Sequence, residues 1–421
     1  RWRSNGQIGE HGEGFYLKDQ QYVSIIAPDI FRKGGREYQL EFELYDRQSV
    51  TRQTGYLWVS SPDLFLPKYS YSRKDIEDDE LLSALAVNER SGICLARGVF
   101  SALRSKYDAL ISANLNDRFP ADRHILLTRI RGWSVYKGFS RAIDFEYQQG
   151  FSQDGNIVQY HFEMPAGGGM HIPLLITYLF DDHDHRLTIT IRRTGSQDLQ
   201  LPPAEEKGKL IIRPDIENRN HHELTKAYSG PEQNWPEGIR EEASGFRFED
   251  DGRILDMKLS EGIFVREDEW QYMVNRPLEE ERGMDGNSDL YSPGFFVLYL
   301  REDQQGEIQA NVSTEEHITA GLDFRESNSR DSSFMLSTRS IGEELKRAIR
   351  QFMVRRNGNK TVIAGYPWFL DWGRDTLICL RGIISAGYLQ EAESILSEFA
   401  SLEQEGTLPN VIRGKDVSNR D

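Results

Sequence analysis

Hydrophobic and polar residues alternate along much of the chain between residue 20 and about residue 312. In the clearest run, Tyr38, Leu40, Phe42 and Leu44 alternate with Glu37, Gln39, Glu41 and Glu43. The same period of two returns in 187–192 and 255–259, and turn-forming residues interrupt it at 154–156, 251–252 and 285–287. This pattern predicts a large antiparallel β-sandwich, with long surface loops at 214–244 and 279–289.

The apolar spacing becomes helical after about residue 335. Leu345, Ala348, Ile349 and Phe352 share one helical face, and Asn357-Gly358 is predicted to stop that linker helix. Two further helices are predicted, a mostly apolar one over 376–386 that ends at Gly387 and an amphipathic one over 389–404 that Gly406 closes. Two consecutive helices of this kind are typical of the opening of a helical barrel.

Length and charge narrow the function classes. With 421 residues, the chain is too long for a single core, and 38% hydrophobic residues suffice for two domains. A formal net charge of −16 argues against nucleic-acid and membrane partners, because their phosphate surfaces are also negative. The longest apolar run, 172–180, is about half the roughly 20 residues that span a bilayer, and the first residues lack a signal-peptide core, so we expect a cytoplasmic protein.

One segment, 364–376, combines four aromatic residues with a guanidinium and two carboxylates. This mixture suits a sugar, because a pyranose presents apolar C–H faces to aromatic rings and hydroxyls to charged groups. Within it, Arg374 and Asp375 place a fork of donors beside a pure acceptor. A purely structural alternative is that Asp375 caps a helix beginning at Thr376.

Three motifs stand in the order found in glycogen debranching enzymes of the amylo-α-1,6-glucosidase type. They are Thr361-Val362-Ile363-Ala364-Gly365-Tyr366-Pro367-Trp368, Trp372-Gly373-Arg374-Asp375-Thr376 and Gly406-Thr407-Leu408-Pro409-Asn410. Upstream, 105–110 and 120–124 resemble segments of the β-rich domain that precedes the barrel in bacterial members. The resemblance covers most of 100–421.

The resemblance implies specific roles at the matching positions. Arg374 and Asp375 would contact glucose hydroxyls, Trp372 would form a wall of the subsite, and Trp368 and Tyr366 would extend that wall. Inverting hydrolysis also needs an acid and a base roughly 6.5–9.5 Å apart. In the family both come from later barrel helices, so they are expected beyond Asp421 and no catalytic residue is named here.

Four other groups have simpler explanations. Asp371 is expected to be a loop or supporting residue rather than a catalytic one. The run 181–185, with three aspartates and two histidines, is expected to be a polar turn rather than a metal site, and His221-His222 is expected in a loop. The triplet Asp122-Arg123-His124 either forms a structural ion pair or faces the barrel.

The sequence therefore predicts a mainly β N-terminal antiparallel super-sandwich, then a linker helix and the start of an (α/α)6 barrel. The expected bounds are 1–325 for the β domain, 326–358 for the linker and 359–421 for the first, truncated part of the barrel, which makes the chain a piece of a longer protein. The resemblance implies a glycoside hydrolase that removes α-1,6-linked glucose from glycogen or a similar α-glucan by inversion, without metal or cofactor. The alternatives are a non-catalytic α-glucan-binding or scaffold module and a trehalase- or glucoamylase-like hydrolase. An incomplete barrel would also favour a homo-oligomer.

Overall fold

A computed structural model describes residues 83–97, 103–116, 118–120, 122–315 and 340–413, and isolated strands elsewhere. The chain forms two compact units, one of Arg1–Pro67 with Ser337–Arg347 and the other of Lys68–Leu336 with Ala348–Asp421. The predicted boundary at residue 325 lies outside the described residues. None of the helices in the described part is long and apolar enough to cross a membrane.

The first unit is described mainly through its strands, β1 (Trp2–Ser4), β2 (His11–Gly12), β3 (Phe15–Leu17), β4 (Gln21–Val23), β5 (Arg36–Tyr45) and β6 (Val50–Val59). Four of these strands form a sheet in the order β2-β1-β5-β6, and β3 pairs with β4. The alternating run of 37–44 falls inside β5, so the predicted strand is confirmed.

Up to Thr314, the second unit is built on many strands and two short helices. In chain order these are β7 (Ser70–Ser72), β8 (Ser83–Val87), β9 (Ile93–Arg97), β10 (Ile111–Asn114), β11 (Arg123–Tyr136), β12 (Phe139–Ala142), β13 (Gln148–Asp154), β14 (Ile157–Gly167), β15 (Met170–Phe180), β16 (Arg186–Arg193), β17 (Gly208–Asn220), α1 (Pro231–Glu237), β18 (Ile239–Glu242), β19 (Gly245–Asp250), β20 (Arg253–Leu259), β21 (Ile263–Asn275), α2 (Pro277–Glu281), β22 (Asn287–Leu300) and β23 (Gln305–Thr314). Short 3-10 turns lie at Phe145–Tyr147 and Ala227–Ser229.

These strands form two large antiparallel sheets. One has the order β21-β22-β17-β11-β10-β9-β8, with β12 added beside β11, and the other has the order β18-β19-β20-β23-β16-β15-β14-β13-β7. Their apolar side chains belong to one buried cluster that includes Ile130 and Phe296 from the first sheet and Phe162 and Ile189 from the second. The predicted antiparallel β-sandwich is therefore confirmed. Turns between its strands lie at 155–156, directly after Asp154, and at 251–252, as expected.

The two predicted long loops are wrong. Residues 214–244 contain the end of β17, the turn at 227–229, α1 and β18, and residues 279–289 contain the end of α2 and the start of β22. β17 looks polar because its charges pair across the sheet: Asp215 is fully buried between Arg129, at 2.6 Å, and Arg131, at 2.8 Å. Glu279 is also fully buried, where Ser105 Oγ donates to it at 2.6 Å.

The remaining elements follow the sandwich: α3 (Ile341–Phe352), β24 (Met353–Arg356), β25 (Asn359–Val362), α4 (Gly373–Ser385), α5 (Leu389–Ser401), β26 (Pro409–Arg413) and β27 (Asp416–Arg420). The predicted linker helix is α3. It begins with a capping box in which Ser340 N–H donates to Glu343 at 2.8 Å and Glu343 N–H donates to Ser340 Oγ at 3.3 Å. Helix α4 begins three residues earlier than predicted, and α5 ends at Ser401 instead of residue 404.

Candidate active site

A tight β-hairpin lies directly before segment 364–376, whose composition suits sugar binding. β24 pairs with β25, and the connecting residues Asn357 and Gly358 have φ of 47° and 82°. Positive φ at both positions is the geometry of a two-residue hairpin turn, which Asn-Gly adopts readily. Asn357-Gly358 therefore forms a hairpin turn, and the prediction that it stops the linker helix is wrong: α3 ends at Phe352.

A buried ion network ties this hairpin to the segment and to α5. The Arg356 guanidinium donates to the Asp371 carboxylate and, through Nε at 3.2 Å, to Glu398. Asn359 donates to the other Glu398 oxygen at 3.0 Å. The side chains of Arg356, Asp371 and Glu398 are 4%, 0% and 3% exposed, so their charges must satisfy one another. Burial raises the pKa of the Asp371 carboxyl to about 6, although Arg356 acts against that rise.

The segment from Ala364 to Leu370 forms a closed loop, which we call the aromatic loop. Ala364 N–H donates to Leu370 O at 2.9 Å, and Ile363 and Asp371 form an isolated antiparallel bridge below it. From strand β11, the fully buried Arg123 donates to Pro367 O and to Phe369 O, both at 2.9 Å. Arg123 therefore contacts the aromatic loop. His124 lies 3.7 Å from Asp122, but burial lowers the pKa of its imidazole, which works against an ion pair. That the triplet faces a barrel stays a prediction.

The aromatic residues of this segment differ in exposure. Trp368 is 43% exposed, with the Arg282 guanidinium 5.7 Å from its ring centre. Tyr366 is only half-buried by surface area, but its hydroxyl donates to Gln351 O at 3.1 Å and its ring packs on Phe352 at 5.6 Å. Trp372 is partly buried. Phe369 is 49% exposed, so Trp368 and Phe369 are the most exposed rings of the segment, and Tyr366 and Trp372 are partly buried.

The N-terminus of α4 brings two of the sequence motifs together. A Cβ added to Gly373 would lie 2.1 Å from Pro409 O, so only glycine permits this approach. Arg374 N–H donates to the Asn410 side-chain oxygen at 3.2 Å, and Thr376 Oγ1 donates to Val362 O at 3.3 Å. The second and third motifs therefore meet at the first turn of α4.

Arg374 and Asp375 lie on that first turn. Arg374 is exposed and Asp375 is partly buried, and within the described residues neither side chain forms a hydrogen bond or an ion pair. Asp375 is inside the helix and does not cap it; Trp372 occupies the N-cap position. A carboxylate in the first turn also interacts favourably with the helix dipole. The capping alternative is therefore wrong, and both side chains are available to a ligand.

The other candidate groups are structural. The run 181–185 is a turn between β15 and β16, in which His183 lies 2.8 Å from Glu89, as expected. His221-His222 lies in a turn after β17, as expected, although His221 is buried. Burial, together with the nearby Arg123 charge, lowers the pKa of the His221 imidazole to about 2. The described residues contain no group of three or more His, Cys, Asp or Glu side chains arranged for a metal ion.

Sequence reasoning did not assign the residues that fix the site. Arg356 was part of a basic pair after a helix, Glu398 was one of several acids on an amphipathic helix, and Asn410 was quoted only as part of a motif. Their partners lie 15 to 42 residues away in the chain. A charged residue on the otherwise buried face of a helix, as Glu398 is, would have been the available signal.

Two family profiles match the sequence. Residues 84–306, more than half of the chain, match the family described as Glycogen debranching enzyme N terminal, and residues 347–420 match Amylo-alpha-1,6-glucosidase. No curated protein sequence matches the chain.

Solved structures resemble the chain only distantly. A protein described as a kojibiose phosphorylase from the human microbiome shares 8% identity, with a TM-score of 0.28 over 59% of this chain and 33% of its own. A protein from Synechocystis sp. PCC 6803 shares 13% identity, with a TM-score of 0.27 over 60% of this chain and 98% of its own. The chain thus spans about a third of the first of these proteins. On the extent of the two family matches, the chain belongs to the glycogen debranching enzyme family.

Proposed function

We propose that this chain is part of an amylo-α-1,6-glucosidase that removes α-1,6-linked glucose from glycogen or a similar α-glucan. One observation carries the proposal: at the first turn of α4, where Asn410 fixes the backbone, the side chains of Arg374 and Asp375 lack partners among the described residues. Unpaired polar side chains on a fixed backbone suit recognition of hydroxyl groups. The two family matches support an α-glucan as the ligand.

The residues divide the recognition of a terminal glucose between them. Arg374 donates several N–H bonds in a rigid fork, and Asp375 accepts from neighbouring hydroxyls. Trp372 and Trp368 present apolar faces to the pyranose ring, and Tyr366 lies in the same wall with its hydroxyl already bonded to Gln351.

The proposed reaction is hydrolysis with inversion. It requires a carboxylic acid that protonates the leaving oxygen and a carboxylate that activates water on the opposite face, and no other cofactor. Asp371 does not suit either task, because it is fully buried and bonded to Arg356. We therefore place the acid and the base after Asp421, on further helices of an (α/α)6 barrel that begins near residue 359.

The proposal extends to the setting of the protein. The β-sandwich would support the barrel, in a cytoplasmic protein that has no nucleic-acid or membrane partner. Both helices carry exposed apolar side chains: Ile378 on α4 is 70% exposed, and Leu389 and Leu396 on α5 are 63% and 48% exposed. Such surfaces suit packing against further helices or a second copy of the chain.

Glucose release from a maltooligosaccharide with a single α-1,6-linked glucose tests the function. The substrate is given to the 421-residue chain and to a form that continues after Asp421, and proton NMR follows the anomer released. We expect the longer form to release β-glucose, the product of inversion, and the chain alone to bind without releasing it. No release by the longer form would reject the glucosidase, and release of α-glucose would reject inversion.

A further inference from the structure

Two exposed tyrosines lie on adjoining segments at the edge of the β21-containing sheet. Tyr228 is 82% exposed in the 3-10 turn at 227–229, and Tyr272 is 54% exposed on β21, which ends the sheet. Met273, next to Tyr272, is 70% exposed. We call Tyr228, Tyr272 and Met273 the edge platform. Clustered exposed apolar surface of this kind commonly marks an interaction site in soluble proteins.

A buried carboxylate holds the two segments together. Asp289, which is 7% exposed, accepts hydrogen bonds from Ala227 N–H at 2.8 Å and from Met273 N–H at 2.7 Å. Its own N–H donates to Thr225 O at 3.0 Å. The backbones that carry Tyr228 and Tyr272 are therefore joined through one side chain, and charge-assisted bonds of this type are among the stronger ones.

The backbone of the edge platform is strained at Met273. This residue has a φ of 54°, in the left-handed region that costs energy for a side chain larger than glycine. The ladder with β22 also shifts register between Gln271 and Val274. Such a bulge re-aims side chains along a strand, and here Tyr272 and Met273 are both exposed.

The Tyr272 ring is fixed in orientation. It lies nearly parallel to the Trp270 ring, with centroids 6.1 Å apart, and Trp270 stacks in turn on the buried Trp235 at 5.5 Å. The Tyr272 hydroxyl donates to the exposed Glu232 carboxylate. A rigid aromatic face beside a carboxylate can stack on the C–H face of a pyranose while it accepts from the sugar hydroxyls.

The charges around the edge platform favour a neutral ligand over an anionic one. Glu232 and Asp285 are close by, and Lys226 is already engaged by Asp285 at 2.7 Å. An open sheet edge also suits a long polymer chain better than a small molecule, which prefers a concave site. We propose that the edge platform is a second α-glucan-binding site, distant in sequence from 372–375, that holds a chain of the polymer. The choice of α-glucan as the polymer rests on the proposed function.

Affinity electrophoresis of the 421-residue chain in gels that contain glycogen tests this proposal. We expect glycogen to retard the wild-type chain, and the double substitution Tyr228→Ala with Tyr272→Ala to raise the dissociation constant by about tenfold or more. Tyr299→Ala is the matched control, because Tyr299 is 50% exposed on β22 and does not belong to the edge platform. Tyr272→Phe, which keeps the ring and loses the bond to Glu232, should stay within about threefold of wild type. Circular dichroism melting confirms that each variant folds.

Three results would overturn the edge platform: no retardation of the wild-type chain, equal retardation of the double variant, or an equal loss with Tyr299→Ala. The proposed function is tested separately, by glucose release from the short branched oligosaccharide. That substrate probes residues 372–375 and is too small to need a second site. Glucose release by the longer form, together with unchanged glycogen binding by the double variant, would reject only the edge platform.

Discussion

Replacing Arg356 by methionine is the perturbation that most directly tests how the candidate site is held. Methionine keeps the length and much of the volume of the side chain and removes its charge. The change leaves Asp371 and Glu398 buried without their shared cation, while Asn359 still donates to Glu398 at 3.0 Å. This network joins the hairpin to Asp371, directly before Trp372, and to α5.

The expected magnitude follows from burial. All three side chains of the network are at most 4% exposed, and removing one partner of a buried pair costs roughly 3–5 kcal/mol. Each 1.4 kcal/mol is tenfold in an equilibrium constant, so local opening should become more than about a hundredfold more populated at pH 7. At pH 5 the cost should shrink, because an uncompensated buried carboxyl is neutralised by taking up a proton.

Amide hydrogen exchange read by mass spectrometry measures this opening locally, which suits a chain with more than one unit. Peptides that cover 353–401 should exchange more than about a hundredfold faster in Arg356→Met. The neighbouring Arg355→Met is the control, because Arg355 is 49% exposed and pairs with Glu89 at the surface. That pair is worth about 1 kcal/mol or less, so exchange should rise less than about sixfold.

Two outcomes would refute the reasoning. Equal exchange in Arg356→Met and Arg355→Met would mean that the buried network does not hold the segment. A double variant, Arg356→Met with Asp371→Asn, removes the stranded charge together with its partner and should regain part of the lost protection. If it is no better than Arg356→Met, the cost does not come from the uncompensated carboxylate.

Three further changes have outcomes of definite sign. Gly373→Ala places a Cβ 2.1 Å from Pro409 O, so it should lower the melting temperature and speed amide exchange in β26. The control Gly382→Ala, in the same helix and with nothing within 4 Å of the added Cβ, should stabilise the chain by roughly 0.5–1 kcal/mol. Equal effects of the two substitutions would contradict the close approach. Arg123→Met removes both bonds to the aromatic loop and should make that loop a site of limited proteolysis, and an unchanged digestion pattern would contradict this. The pKa of Asp371 is about 6 in the folded chain and 3.8 ordinarily. Between these pH values the folded chain binds a proton at Asp371 that the unfolded chain has lost, so the folded state loses stability as pH rises through this range. Denaturant unfolding should therefore show the wild type losing roughly 3 kcal/mol relative to Asp371→Asn between pH 4 and pH 7, and a constant difference would contradict the shift.

The strands with one buried face were predictable from the sequence. The alternation over 187–192 and 255–259 became β16 and β20, because the alternate apolar residues of each strand are buried in the sandwich. The second half of β17 was predicted as a loop, since Asp215 and Glu217 are charged and yet fully buried. Their partners come from β11, from β17 itself, from the segment after β17 and from β22, and periodicity along one strand cannot show such pairing.

The site was predictable in composition but not in geometry. The aromatic and charged residues of 364–376 indicated a sugar-binding segment, and the structure leaves Arg374 and Asp375 without partners among the described residues. The start of α4 was misplaced because it depends on Pro409 and Asn410, more than thirty residues away. Local signals such as Thr376 and Asp375 resemble a helix start, and tertiary contacts overrode them.

Titration calorimetry at the Arg374 and Asp375 site tests the central claim most directly. A maltooligosaccharide with one α-1,6-linked glucose is titrated into the 421-residue chain, its Arg374→Met and Asp375→Asn variants, and Arg381→Met, a control on the exposed side of the same helix. Our account predicts that each of the first two variants weakens binding by about tenfold or more, while the control binds as the wild type does. Equal binding by all four proteins would contradict the assignment of the glucose subsite to this turn.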